Sequence, residues 1–302
     1  MTLRLVLDGK EIPVKQFKFP GGEVSASFDP TYLIPTGPVR VSVSASLTTS
    51  DDVMALLMLT DAVRRQFPNI AKFEALIFYV PYARQDRVMK PGESLSIKVF
   101  CDLINSQKYD NVVIWDPHSD VTPALLNNCT TVNQQSLANY TLTDIFVDPK
   151  NIVLVAPDAG ALKKIYSVSK EMGVDQVARA DKERDPATGK IKDTKVYSDH
   201  IGDKDFLIVD DICDGGYTFL ELAKVLRPLT NGKIILYVTH GIFSKGLDVF
   251  RGIIDEVYTA NTFLKYPNGV ELLNHTKPVP TEPVPEVNEA QAVLPLLPPS
   301  KA

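Results

Sequence analysis

Four stretches of this chain, residues 75–80, 111–115, 152–156 and 206–210, are almost unbroken apolar runs that end at polar turns. An unbroken run, as opposed to one that alternates with polar residues, marks a strand covered on both faces, as in a parallel sheet between helical layers. Segments of helical spacing lie between them. Ser50-Asp51-Asp52 opens one, with Ser50 placed to cap and two acids suited to the positive end of the helix dipole. Val53, Leu56, Leu57, Thr60 and Val63 then recur at helical intervals. Further helices are predicted over 94–105, 162–172 and 218–226, and a further strand over 234–238. The class is α/β. Two such series in 302 residues, about twice a usual domain, predict two domains over 1–140 and 141–276 and a tail over 277–302.

Composition removes several alternatives. Hydrophobic residues make up 44% and charged residues 23%, as in ordinary water-soluble domains. Apolar runs of about six residues fall far short of the roughly 20 that span a bilayer, so no membrane partner is expected. The opening MTLRLVLDGKEIP lacks the apolar core of a signal peptide. Cysteines at 101, 129 and 213 form neither a disulfide framework nor a CxxC pair, and a reducing, cytoplasmic setting follows as the expectation. A net charge of -5 offers no basic footprint for nucleic acid. Seven of the 22 prolines fall between Pro278 and Pro299, too many missing N–H donors for a packed element. That tail reads as extended, either a docking segment or dispensable.

Ligands of parallel sheets bind at the carboxyl ends of the strands. The turns there are Tyr82–Arg87, Asp116–Asp120, Pro157–Gly160 and Asp211–Thr218. The last is the sharpest: Asp210 and Asp211 precede Asp214, Gly215, Gly216, Tyr217 and Thr218, which lead into a helix. Backbone N–H groups of such a turn cradle phosphate. Carboxylates repel phosphate but suit sugar hydroxyls or hydrated Mg²⁺, so the combination points to a phosphorylated sugar. The plainer reading is an acidic turn with Asp214 as helix cap. Taken singly, His118 reads as structural, because magnesium prefers oxygen, and Asp181–Arg184 reads as a solvated charged loop. Cys213 reads as a small packing residue and Trp115 as the end of a core strand. His200, His240 and His275 share no ligand spacing, though His240 sits in a motif that could line the site.

The 206–218 segment resembles the phosphoribosyl-diphosphate (PRPP) signature shared by type I phosphoribosyltransferases and ribose-phosphate pyrophosphokinases. Six further segments, collinear over about residues 15–265, resemble the pyrophosphokinases: Phe19–Glu23, Tyr82–Arg87, Asp116–Ser119, Pro157–Gly160, Asp181–Arg184 and Thr239–Ser244. The resemblance implies two phosphoribosyltransferase type I-like domains with parallel sheets and an active site between them. It implies transfer of the diphosphate of ATP to the anomeric 1-hydroxyl of a 5-phosphorylated ribose, releasing AMP, with Mg²⁺. It assigns ATP contacts to Phe19, Glu23, Arg84, Gln85, Asp86 and His118, and metal ligation to His118 and Asp158. It assigns transition-state cations to Lys182 and Arg184, with 185–189 as a lid. It assigns the ribose phosphate to Asp158, Asp210, Asp211, Asp214, Gly215, Gly216, Tyr217 and Thr218. A homo-oligomer, dimer to hexamer, is also implied, with Phe19–Glu23 completing a neighbouring ATP site.

The departures bear on the acceptor. The family loop reads D-T-G/A-G-T, whereas here Gly215 replaces the threonine and Tyr217 the second glycine. One phosphate donor is lost and an aromatic is gained, which fits a bulkier 5-substituent whose base stacks on Tyr217. A phage-type subgroup of the family uses ADP-ribose, making its 1-diphosphate for NAD synthesis, and the chain is similar to it. The acceptor is thus ribose 5-phosphate or ADP-ribose. Gly21 stands where the family carries Asp or Asn, and Val88–Glu93 replaces an arginine-rich stretch tied to allosteric control. The competing classes are a phosphoribosyltransferase, which leaves the ATP-type motifs unexplained, and a non-catalytic associated subunit, which should lack Lys182 and Arg184.

Overall fold

Both series of strands and helices form, each around its own hydrophobic core. A computed structural model describes residues 3–32, 37–142, 148–184, 191–197 and 202–264, with backbone alone for 182–184 and 191–194. The 277–302 tail, the 185–189 lid, His200 and His275 lie outside the described residues. The described chain divides into one unit of residues up to 114 with 121–130, and a second of 115–120 with 131–264.

The first unit begins with β1 (Leu3–Leu7), β2 (Lys10–Ile12), β3 (Val14–Lys18), β4 (Val24–Phe28) and β5 (Val39–Ala45). Then come α1 (Ser50–Gln66), β6 (Ile70–Ile77), α2 (Ser96–Ser106), β7 (Asn111–Trp115), α3 (Val121–Leu125) and β8 (Cys129–Val132). The sheet order is β2-β1-β5-β6-β7-β8, and β3 and β4 form a separate hairpin. Strands β5, β6 and β7 are parallel, while β1 is antiparallel to β2 and to β5, so the sheet is mixed. Strand β1, between β2 and β5, buries Leu3, Leu5 and Leu7 and half-exposes Arg4 and Val6, an alternation that a search for unbroken runs passes over. For the same reason β6 begins at Ile70: Lys72 and Glu74 interrupt the apolar run and pair with each other at 2.9 Å. It also ends at Ile77, three residues short of the expected end.

The cap of α1 is Thr49, one residue before the expected Ser50. Thr49 Oγ1 accepts from Asp52 N at 3.2 Å, and Asp52 Oδ2 accepts from Thr49 N at 2.8 Å. This reciprocal capping box needs an acid three residues after the cap, which Thr49 has in Asp52. Leu56, Leu59 and Val63 of α1 meet Phe73, Ile77 and Phe100 in the first core.

The second unit contains α4 (Gln134–Leu142), β9 (Ile152–Ala156), α5 (Leu162–Met172), β10 (Gln176–Arg184) and β11 (Ile191–Tyr197). It continues with β12 (Asp205–Cys213), α6 (Tyr217–Leu226), β13 (Ile234–Gly241) and β14 (Glu256–Thr262). The order is β11-β10-β9-β12-β13-β14, parallel except where β11 folds back antiparallel on β10. Helix α4, most of which a boundary at 140 would leave with the first domain, buries Ala138 and Leu142 in the second core. Strand β12 runs to Cys213, past the expected end at 210, because Ile212 and Cys213 pair with His240 and Gly241 of β13. No described helix is long and apolar enough to cross a membrane.

Candidate functional site

The second unit gathers its polar side chains around the turn that follows β7. Asp116 is buried with φ +32°, a left-handed conformation that short polar side chains tolerate best. Its Oδ1 accepts from Lys164 Nζ at 2.8 Å, and its Oδ2 accepts from Gln134 Nε2 at 3.0 Å and Thr239 Oγ1 at 2.6 Å. A carboxylate so fully hydrogen-bonded is a scaffold for the turn. The turn continues through Pro117, whose carbonyl also accepts from Lys164 Nζ at 3.1 Å, to His118. His118 Nδ1 lies 2.8 Å from Asp211 Oδ2, and Lys164 Nζ lies 3.8 Å from the same oxygen.

Charge balance maintains this arrangement. Burial alone would lower the Lys164 ammonium, but Asp116 and Asp211 outweigh it and hold the group above the usual lysine range. Burial alone would raise the Asp211 carboxyl. The hydrogen bond from His118 and the charge of Lys164 reverse that and hold it below the usual carboxylate range. An ionised Asp211 can only accept, so His118 Nδ1 donates, and in the neutral ring Nε2 carries the lone pair.

Because β12 extends through both acids, Asp210 and Asp211 are neighbours on a pleated strand and point to opposite faces. Asp211 is buried toward His118, whereas Asp210 is half-buried and its Oδ1 accepts from Asp211 N at 2.9 Å. Asp158 follows β9 and its Oδ1 accepts from Ala161 N at 3.1 Å, which closes the turn into α5. That helix delivers Lys164.

The 214–218 turn is built around Gly216, the cap residue of α6, with φ +80° and no side-chain cap. The cap is thus Gly216, in place of the Asp214 of the plainer reading. A Cβ at Gly216 would sit 2.6 Å from the Phe250 ring, so both conformation and packing require glycine there. Gly215 differs: a Cβ there would meet Lys245 Cγ at 3.5 Å and Ser244 Oγ at 3.8 Å, ordinary contacts. Asp214 is exposed, Thr218 half-buried, and Tyr217 at the first position of α6 is 59% exposed. Burial pushes the Cys213 thiol up to about 12, against any activation by the helix terminus, and agrees with a packing role. His240 is buried and its Nε2 lies 3.1 Å from the Trp115 carbonyl. Burial lowers its imidazole, which makes it a neutral core group that supports the site from beneath and does not line it.

Apart from His118, the expected ATP residues lie in the first unit, on two exposed features. Phe19 and Glu23 form the tip of the β3–β4 hairpin, closed by Phe19 N to Glu23 O at 2.8 Å, with Phe19 49% exposed against the edge of Phe17. Arg84 and Gln85 are exposed after a turn at Tyr82, φ +64°, while Asp86 is buried and accepts from Arg87 Nε at 2.8 Å. The backbones of Lys182 and Arg184 lie in β10, opposite Thr194 and Ile191 of β11, and their side chains lie outside the description.

Sequence reasoning missed Lys164, Gln134 and Thr239 as site residues. Lys164 lies on an amphipathic helix beside Ile165, and no spacing rule names the carboxylates it meets. Among the described residues no three or more His, Cys, Asp or Glu side chains form a metal cage. A set of one oriented imidazole and separate carboxylates fits magnesium held largely by phosphate oxygens and water.

A parallel-centred sheet whose acidic strand enters a glycine turn and a helix defines the phosphoribosyltransferase class. Residues 123–249 match the phosphoribosyl transferase domain model, and residues 7–107 match the N-terminal domain of ribose phosphate pyrophosphokinase. The ribose-phosphate pyrophosphokinase of Campylobacter jejuni is 30% identical over 250 residues, covering 81% of this chain and 77% of the relative. That of Pyrococcus furiosus is 29% identical over 248 residues, covering 81% and 84%. The fold matches phosphoribosylpyrophosphate synthetase from Mycobacterium smegmatis with a TM-score of 0.68 at 23% identity, covering 82% of this chain and 80% of that one. The chain belongs to the ribose-phosphate pyrophosphokinase family.

Proposed function

We propose that this protein transfers the diphosphate of ATP to the anomeric 1-hydroxyl of a 5-phosphorylated ribose. The 1-oxygen bonds to the β-phosphorus, the bond from that phosphorus to the α,β-bridging oxygen breaks, AMP leaves, and the hydroxyl loses its proton. The observation that carries the reading is the His118–Asp211 hydrogen bond, which ties the Asp116–Ser119 turn to the acid-bearing strand of the PRPP signature. Magnesium, bound with ATP near His118 and Asp158, supplies neutralising charge for phosphoryl transfer. Asp210 orients the ribose hydroxyls, and the 214–218 turn takes the 5-phosphate on its backbone N–H groups. Lys182 and Arg184 meet the charge that develops during transfer. The exposed Phe19–Glu23 hairpin is suited to a neighbouring copy in a homo-oligomer.

A second reading concerns the acceptor. Gly215 is not demanded by its backbone, so the threonine hydroxyl is absent without a steric need for glycine, and Tyr217 stands exposed two residues on. Both favour an acceptor that extends beyond the 5-phosphate, as ADP-ribose does. The test is chromatographic detection of AMP from ATP and Mg²⁺ with each acceptor. AMP formation that requires either acceptor supports pyrophosphokinase chemistry, and release with ribose 5-phosphate alone removes the ADP-ribose reading. No AMP with either sinks both. Lys182→Ala should lower kcat by orders of magnitude, and unchanged turnover would remove Lys182 from the mechanism.

A further inference from the structure

We infer that Lys164 is a positioning residue that sets the orientation of His118, an inference that rests on the site reading above. Lys164 reaches His118 from two sides. Its Nζ donates to the carbonyl of Pro117, the residue directly before His118, at 3.1 Å. It also lies 3.8 Å from Asp211 Oδ2, the oxygen that receives the His118 ring at 2.8 Å. A third contact, 2.8 Å to Asp116 Oδ1, pins the ammonium to the base of the same turn. One cation therefore fixes both the backbone entry of His118 and the hydrogen-bond partner of its ring.

The neighbouring groups show why the cation matters for His118 in particular. Asp116 keeps Gln134 and Thr239 when Lys164 is removed, so its end of the turn stays satisfied. Asp211 and the Pro117 carbonyl each lose a partner. Asp211 side-chain exposure is 10% and Asp116 is 2%, so two poorly hydrated carboxylates would face each other without a counter-charge. Relief comes from Asp211 turning away, and that change breaks its acceptor role toward Nδ1. Lys164 contacts three protein acceptors and is two-thirds covered, which fits a group acting through His118 and not one that binds substrate itself.

The experiment uses the full chain labelled with ¹⁵N-histidine, with the His118 signal among the four histidines assigned by its loss in His118→Gln. At a pH where the ring is neutral, long-range ¹H–¹⁵N spectra report which nitrogen carries the proton. The wild type should show a single Nδ1–H tautomer. Lys164→Met should give a tautomer mixture and about 10–100-fold weaker Mn²⁺ affinity by electron paramagnetic resonance, the usual loss when a group that orients a ligating imidazole goes. Lys164→Arg should keep both. A wild-type tautomer in Lys164→Met overturns the inference. Should that variant fail to fold, Lys164→Gln keeps a polar side chain there, removes the charge and, being shorter, loosens the contacts to Asp116 and Pro117. A wild-type tautomer there overturns the inference equally. Mn²⁺ that leaves the wild-type His118 signal untouched removes the metal reading of the site, and the tautomer readout then decides Lys164 alone.

Discussion

His118 and Asp211 stand 93 residues apart in the chain, and their ring nitrogen and carboxylate oxygen are 2.8 Å apart in the folded unit. The pair joins the turn that holds His118 to the carboxyl-terminal part of β12. A hydrogen bond of this kind fixes the tautomer and angle of an imidazole, and removing such a partner usually costs 10–100-fold in metal affinity or activity. Asp211→Ala should therefore lower kcat/KM for AMP release by about 10–100-fold, with the larger effect at low Mg²⁺. Asp211→Asn, which retains an accepting oxygen, should lie nearer the wild type. A Mg²⁺ dependence identical to wild type in Asp211→Ala would break the link between the pair and the metal.

The same pair sets a pH dependence of stability. Asp211 is held below the usual carboxylate range, so its contribution is complete above an ordinary value of about 3.9 and is lost as pH falls through the folded value. Lys164 is held above the usual lysine range, so its contribution is complete below about 10.4 and fades as pH rises past that value. The stability gap between wild type and Asp211→Asn should shrink below about pH 4, where the carboxyl takes up its proton. Urea midpoints across pH measure it, and a gap that does not shrink there contradicts the assignment.

Much of this was legible in the chain, and what was not has physical causes. Strands β9 and β13 are buried on both faces and announce themselves as apolar runs, and β7 reads the same way although Asn111 and Val113 are only half-buried. Strands β1 to β4 have one face toward solvent or carry polar residues, and their alternation hides them among loops. The acids at 210 and 211 were legible as a pair, but their separation onto two faces depends on how far β12 runs, which pairing with β13 decides. Lys164 was illegible because its role is set by three acceptors drawn from distant segments.

Acceptor choice should follow Tyr217. Stacking of a base on an exposed tyrosine contributes about 0.5–1.5 kcal/mol, or roughly 2–10-fold in binding. Tyr217→Gly should raise KM for ADP-ribose by that factor and leave ribose 5-phosphate unchanged. Gly215→Thr, whose Cβ would make only ordinary contacts with Lys245 and Ser244, should improve ribose 5-phosphate by restoring a hydroxyl donor. Equal shifts for both acceptors in Tyr217→Gly would mean that the ring does not touch the extended part of the substrate.

The turn that carries these residues depends on Gly216 for two separable reasons. Its φ of +80° costs about 1–3 kcal/mol for a residue with a Cβ. A Cβ would also lie 2.6 Å from Cζ of Phe250, a buried ring with little room to retreat, and such overpacking costs a further 1–3 kcal/mol or so. Gly216→Ala should thus destabilise the second unit by about 2–6 kcal/mol in urea unfolding, whereas Gly215→Ala should stay within about 0.5 kcal/mol of wild type. Phe250→Leu removes the clash and leaves the dihedral strain. The double variant Gly216→Ala with Phe250→Leu should therefore be less destabilised than the sum of the two single variants, by about 1–3 kcal/mol. Strict additivity would show that the ring is not what excludes a side chain, and a near-neutral Gly216→Ala would show that the turn relaxes without the left-handed residue.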